Sequence, residues 1–406
     1  MGIEYKRRVL PNGLTVMAEV EPQAHSASVG FFVKTGARDE AQQVVGVSHF
    51  LEHMMFKGTD RLSADDVNRG FDDLGARNNA FTSGEMTCFY AHVLPEHLHE
   101  ATGLLAEMMR PALRQDDFDV EKGVILEEIA MYDDNPFFVL YEETLERHYA
   151  GHPLGHRVLG TRESIGALTR DQMQGYFSSR YSADNTAVSL AGRVDFDRVC
   201  EDLERLCGQW APTGATRDNG APPTKGERFE RRDPKITHGY LLGVCDAPAA
   251  QDERRYAAGL TAQVLGAGGN SRLHWALVES GIADEAFAAY DGHDGCGSMF
   301  VFASGEPDRL DRIEKIIAEE TAGLRDHLDE ADLERLRAKA LTSATVGGER
   351  PNDRMQRLGR LWATTGEYRS LEEELENLAA VTADDCRDLL AAFPLDNPTL
   401  GVLRPE

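Results

Sequence analysis

Gly46-Val47-Ser48-His49-Phe50-Leu51-Glu52-His53-Met54-Met55-Phe56-Lys57-Gly58-Thr59 is the stretch around which the rest of this chain is organised. Its centre, His49 to His53, reads H-x-x-E-H, the inverse of the common zinc-hydrolase signature. Residues four apart lie above one another on a helix, so His49 and His53 reach one metal ion from one face. Glu52 stands about 100° around from His53 and works beside the ion without being forced to ligate it. Zn²⁺ accepts imidazole nitrogens and carboxylate oxygens, and a catalytic site uses three protein ligands with the fourth position left to water. A third ligand therefore has to come from elsewhere.

Asp117 to Tyr132 offers it. Glu121-Lys122-Gly123-Val124-Ile125-Leu126-Glu127-Glu128-Ile129 has the length and periodicity of a buried helix, weakened by the interior glycine. Glu121 and Glu128 stand two turns apart and share a face, with Val124 and Ile125 between them. A carboxylate on an apolar face is costly unless it is paired or bound to metal. Glu127 competes with Glu128 for the role, and spacing alone leaves both open.

Working outward, Leu10-Pro11-Asn12-Gly13-Leu14-Thr15-Val16 reads as the turn of a hairpin, and Ala27 to Lys34 alternates like a strand. A second helix is predicted over Ser63 to Leu74, and Asn78 to Ser83 opens a strand that runs on through Met86 to Val93. The stretches PNGLTV, GVSHFLEHMMFKGT, NNAFTSGEMTCFY, EKGVILEEI and HPLGHRVLGT lie between residues 11 and 161. Together they resemble the pitrilysin family of metallopeptidases, in particular its half-length branch with mitochondrial processing peptidase and its bacterial relatives. The likeness is strong over roughly residues 5–200 and weaker afterwards. It implies a zinc-dependent endopeptidase acting on peptides or unfolded polypeptides, with Glu52 as general base. The family places its distal zinc glutamate seven residues after another acidic residue. That selects Glu128 as third ligand beside His49 and His53, and sets Glu121 behind the site in support of catalysis. By the same resemblance, the strand starting at Asn79-Ala80-Phe81 is the substrate-binding edge, where an extended peptide adds as a further strand.

The remaining histidines read as structural or solvent-facing. His92, His97 and His99 fall at a strand end and helix start, and His152 and His156 flank a loop. Neither group has carboxylates placed for a second metal.

A chain of 406 residues is long enough for two domains with separate cores. Residues 211–227, rich in Pro, Gly, Thr and Asp and without periodicity, read as a linker between residues 1–210 and residues 228–406. After it the order of the first part repeats. A strand at His238 to Val244 is followed by a helix over Arg254 to Leu265, a Gly-rich turn with a second helix, and a strand at Ser298 to Ala303. Long helices follow around Asp308 to Thr342 and Asp353 to Trp362. The expected fold class is α+β: two homologous domains, each a mainly antiparallel sheet with helices packed on one face, and zinc in the first alone.

Net charge is −26 and the isoelectric point about 4.9, which argues against nucleic acid as a partner. No apolar run of about 18 residues is present, so no membrane span is expected. The start lacks the apolar core of a signal peptide, and Met1-Gly2 lacks the Ser or Thr that myristoylation needs. Six scattered cysteines with no C-x-x-C pair fit reduced thiols, and a cytoplasmic location is expected.

One departure from the family stands out. Its active members carry an Arg and a Tyr just after the Gly-rich turn of the second half, where they contact substrate and its developing oxyanion. Aligned on Arg272-Leu273 and Gly281, those positions hold Val278 and Asp284 here, with Tyr290 six residues out of place. Half-length members close their chamber by pairing two chains. The resemblance thus implies a heterodimer with a homologous subunit that lacks the zinc motif and supplies Arg and Tyr, with a homodimer as the runner-up. The competing function is a catalytically silent scaffold of the same fold; intact His49, Glu52, His53 and Glu128 favour the enzyme.

Overall fold

The computed structural model describes residues 2–222, 224 and 226–406. Turn chemistry opens the fold. Gly13 takes φ 95°, a conformation side chains rarely adopt, and its N–H closes onto Leu10 O at 2.9 Å. The predicted hairpin follows, β1 (Glu4–Val9) against β2 (Thr15–Val20). Next come β3 (Ala27–Val33), α1 (Val47–Met55), α2 (Ala64–Asp73), β4 (Arg77–Thr82) and β5 (Thr87–Val93). Helices α3 (Leu98–Met108), α4 (Gln115–Asp133), α5 (Pro136–His148), α6 (Arg162–Ala167) and α7 (Arg170–Arg180) lead to β6 (Thr186–Gly192) and α8 (Phe196–Cys207). The remainder runs β7 (Arg228–Arg232), β8 (Gly239–Ala247), α9 (Arg255–Gly266), β9 (Glu285–Gly292) and β10 (Gly297–Gly305). It ends with α10 (Leu310–His327), α11 (Glu330–Gly348), α12 (Pro351–Thr365), α13 (Leu371–Ala380), α14 (Ala383–Ala392) and β11 (Thr399–Arg404).

Two details differ from the sequence reading. Residues 78–93 make two antiparallel strands, because Ser83 N–H bonds Met86 O at 2.9 Å and turns the chain between Thr82 and Thr87. The long helical region after Asp308 is broken between α10 and α11, where Leu328 leaves helical geometry.

The strands form two sheets of one pattern. The first is ordered β1-β2-β6-β3-β5-β4, with β2 and β6 parallel and the other neighbours antiparallel. The second is ordered β7-β11-β8-β10-β9, with β7 and β11 parallel and the rest antiparallel. Strand alternation gives each sheet two apolar faces. In the second, Leu241, Met299, Val301 and Val402 pack under α9, α10 and α14, whereas Leu242, Val244, Phe300 and Phe302 pack against α5. In the first, Phe31 meets Trp210 while Phe32 packs with Cys88 and with Met355 of α12. Among the described residues most helices thus lie on one face, as expected, and α12 and α5 cover the opposite faces.

Those two helices explain how the chain divides. One compact unit takes the chain up to Ala130, His156–Asp218 and Val346–Tyr368; the other takes Met131–Gly155, Asn219–Thr345 and Arg369–Glu406. One of the crossings between the units lies at Asp218. Contiguous domains at 1–210 and 228–406 do not anticipate that α5 belongs with the second sheet and α12 with the first. Packing decides both. Phe137 of α5 sits edge-on to Phe302 at 5.0 Å. On α12, Arg354 is buried and bonds Glu21 at 2.5 Å, Arg357 pairs with Glu19, and a side chain at Gly359 would collide with the Phe32 ring at 2.2 Å. Among the described residues no helix is long and apolar enough to cross a membrane.

Candidate metal centre

Helix α1 is braced at its start. Gly46 adopts φ 93°, and a Cβ there would meet Leu159 O at 2.7 Å. The buried Glu40 carboxylate accepts the backbone N–H groups of Gly46 (2.6 Å) and Ser48 (2.7 Å), filling the donor-rich end of the helix. Burial pushes Glu40 up to about 8 against the pull of those two bonds. Tyr176 bridges Thr35 and Ser48, each at 2.7 Å.

So held, α1 presents both imidazoles on one side, ring centres 4.7 Å apart. Helix α4 brings a carboxylate to them. Glu128 Oε2 lies 3.7 Å from His49 Nε2 and 3.7 Å from His53 Nε2. Glu127 is exposed, so the alternative that spacing left open points to solvent. Among the described residues, His49, His53 and Glu128 are the group whose donor atoms all lie within 4.8 Å of one another and could hold a metal ion. Helix α4 itself is less buried than its periodicity suggested. Ile125 is fully covered, but Val124 is 46% exposed, so the shared face runs Glu121–Ile125–Glu128 without it.

The donor set fits zinc. Bonds of about 2.0–2.2 Å to tetrahedral ligands place donor atoms a little over 3 Å apart, close to the spacing here before an ion draws them in. Burial, with His53 adding to it, lowers the His49 imidazole to about 4, so the ring is neutral at neutral pH, the form that ligates. His53 Nδ1 bonds Glu121 Oε1 at 2.8 Å, which assigns the proton to Nδ1 and leaves Nε2 facing Glu128. Lys57 Nζ meets the other Glu121 oxygen at 2.5 Å. Burial alone would raise the Glu121 carboxyl, but Lys57 and His53 outweigh it and hold it below its usual value.

Glu52 stays out of the donor group and bonds a different partner, the Thr82 hydroxyl, which donates to Oε2 at 2.6 Å. Burial raises the Glu52 carboxyl above its usual value, with Glu128 adding to the rise and Thr82 and His53 opposing it. A carboxyl poised in this way suits proton transfer. Thr82 ends β4, the outer strand of the first sheet, and Asn79, Ala80 and Phe81 lie on that same free edge. Sequence reading missed Thr82 and Lys57. Lys57 stands one helical turn beyond His53, a spacing that could have flagged it.

The other histidines have local partners: His92 bonds Ser28 at 2.6 Å, His99 bonds Asp202 at 2.9 Å, and His156 contacts Ala37 O and Gln42. In the second unit, Val278 packs against the apolar core, Asp284 is exposed, and the Tyr290 hydroxyl donates to Pro248 O at 2.8 Å.

Comparison with known proteins places this geometry in context. Residues 15–162 match the family described as Insulinase (Peptidase family M16), and residues 167–340 match the Peptidase M16 inactive domain. An uncharacterised zinc protease of Mycobacterium leprae is 36% identical over 395 residues, covering 94% of this chain and 88% of that protein. A protease from Helicobacter pylori has the same fold, with TM-score 0.93 at 21% identity over 99% of this chain and 100% of that one. A chain of complex III2 from Candida albicans shares it too, with TM-score 0.85 at 18% identity over 100% of this chain and 96% of that one.

Proposed function

The chain belongs to the M16 peptidase family, and from that premise we propose that it is a zinc-dependent endopeptidase subunit cutting flexible peptides or unfolded polypeptides. The observation that carries this reading is the meeting of His49 Nε2, His53 Nε2 and Glu128 Oε2, with Glu52 alongside on Thr82. It supports an enzyme over a silent scaffold, because a scaffold has no use for converging donors backed by Glu121 and Lys57.

When bound, Zn²⁺ polarises a carbonyl and lowers the pKa of water towards neutrality. His49, His53 and Glu128 would hold the ion, and Glu121 would fix the His53 ring. Glu52 takes the proton of the attacking water at Oε1, while Oε2 stays on the Thr82 hydroxyl, and passes it to the leaving amine nitrogen. The free edge of β4 at Asn79, Ala80 and Phe81 binds the peptide as an added strand through main-chain hydrogen bonds, which selects unfolded segments.

The Arg and Tyr expected in the second unit are replaced by Val278 and Asp284, and the Tyr290 hydroxyl is committed to Pro248 O. A homologous partner subunit supplying them, in a cytoplasmic heterodimer, therefore completes the proposal; free buried thiols at Cys88, Cys200, Cys207, Cys245 and Cys386 accord with that compartment. A missing oxyanion donor typically costs about 10²–10³-fold in turnover, so the chain alone should work poorly and gain activity when the partner is added. Full activity of the isolated homodimer would remove the partner from the proposal. The peptidase reading is tested by Glu52→Gln, which should keep its zinc and lose about 10²–10⁴-fold in peptide hydrolysis. Hydrolysis at the wild-type rate would contradict it.

A further inference from the structure

The edge strand β4 carries a second pattern. Alternation puts Arg77, Asn79 and Phe81 on one face and Asn78, Ala80 and Thr82 on the other. Thr82 serves Glu52. The Phe81 face is the one α12 covers: Phe81 lies opposite Cys88 in register, packs edge-on against Phe32 at 6.5 Å, and joins the cluster containing Met355. From α12, Arg360 sets its guanidinium over the Phe81 ring at 4.6 Å. A ring beneath it steadies a guanidinium and leaves its N–H fork free for a planar acceptor.

Charge makes this arginine unusual. The chain carries 69 acidic residues against 43 basic ones, and arginines on and beside α12 are paired: Arg350 with Asp353, Arg354 with Glu21, Arg357 with Glu19. Among the described residues neither Arg360 nor Arg77 forms an ion pair, and both are exposed. Two uncommitted cations thus flank one face of a free strand edge in a strongly acidic protein.

We infer that this corner of β4 and α12 is a specificity site for an acidic side chain of the bound peptide. The inference rests on the strand-addition reading above. In a peptide added to β4, the residue facing Phe81 projects its side chain on the Phe81 face, about 5 Å away. A Glu or Asp there meets the Arg360 fork and accepts two N–H groups. Arg77, four residues along the strand and so about 13 Å away, offers a second acidic position in the same peptide. The substrate class is therefore an extended peptide with acidic residues spaced four apart, or with one facing Arg360.

The test is a peptide pool varied between Glu, Gln and Lys at each position, cut by wild-type, Arg360→Glu and Arg77→Glu protein. Wild type should prefer Glu at the position facing Arg360 by roughly threefold to fivefold, the upper range for a partly exposed ion pair. Arg360→Glu should reverse that preference towards Lys without changing zinc content, and Arg77→Glu should act four positions away. An unchanged profile in Arg360→Glu overturns the inference. Binding of Glu and Lys versions of one labelled peptide to zinc-loaded Glu52→Gln protein, read by fluorescence anisotropy, decides the matter without turnover. Equal binding there also overturns the inference, whereas a pool that wild type leaves uncut even with its partner subunit present counts against the peptidase reading instead.

Discussion

The two sheets share a strand plan and differ in what stands behind their outer edge. In the first, β2-β6-β3-β5-β4 repeats the order β7-β11-β8-β10-β9 of the second, including one parallel pair at the corresponding place. The first α-helix between the third and fifth strands of that order is α1 in one unit and α9 in the other. Helix α1 carries His49, Glu52 and His53 towards α4 and β4. At the equivalent place, α9 presents Ala257, Ala258, Leu260, Ala262, Val264 and Leu265, all buried, and a Cβ on Gly266 would meet Ala288 N of β9 at 2.1 Å. One helix stands off its edge strand far enough for a hydroxyl–carboxylate bond; the other is pressed against it. The fold does not require the site: among the described residues, the converging donors occur in one of its two copies.

The largest expected effect breaks that asymmetry from the first unit. Glu128→Gln should cut peptide hydrolysis by more than about 10³-fold, because activation of water and stabilisation of the oxyanion are lost together. Thr261→Val on α9 should stay within about twofold, as distant sites act independently. Comparable losses from both would mean that the second unit takes part in the chemistry directly.

A second comparison concerns the two helices on the opposite faces. Leu358 of α12 and Leu140 of α5 are each 1% exposed. Truncation of either to alanine should cost about 2–5 kcal/mol in urea unfolding, since each leaves a cavity against its sheet. A cost below about 0.5 kcal/mol for one of them would show that helix to be peripheral.

The smallest effect concerns the metal centre itself. Glu121→Gln keeps the shape but weakens the hold on the His53 ring and on Lys57, and should lower zinc affinity or activity by about 10–100-fold. No change in either would leave Glu121 a structural residue.

Much of this was legible in the sequence because it is local. The spacing of His49 and His53 follows from 3.6 residues per turn, the hairpin from Asn12-Gly13, and the N-cap of α2 from Ser63, whose hydroxyl accepts Asp66 N–H at 3.2 Å. The family resemblance chose Glu128 over Glu127, and the structure turns Glu127 outwards. What escaped was long-range. Nothing in the composition of residues 136–148 says which sheet its aromatics will meet, and Arg354 and Arg357 look like ordinary helix-surface charges until Glu19 and Glu21 are placed beside them. Thr82 lies within the predicted strand, but its bond to Glu52 depends on the turn at residues 83–86, which strand alternation alone does not mark.

The proposed function requires a metal ion in one of the two like-built units. Elemental analysis of the purified chain, set beside its His49→Ala variant, tests it most directly. One zinc per wild-type chain and none in the variant are expected; two zinc ions per wild-type chain, or an undiminished count in His49→Ala, would overturn the single-site assignment.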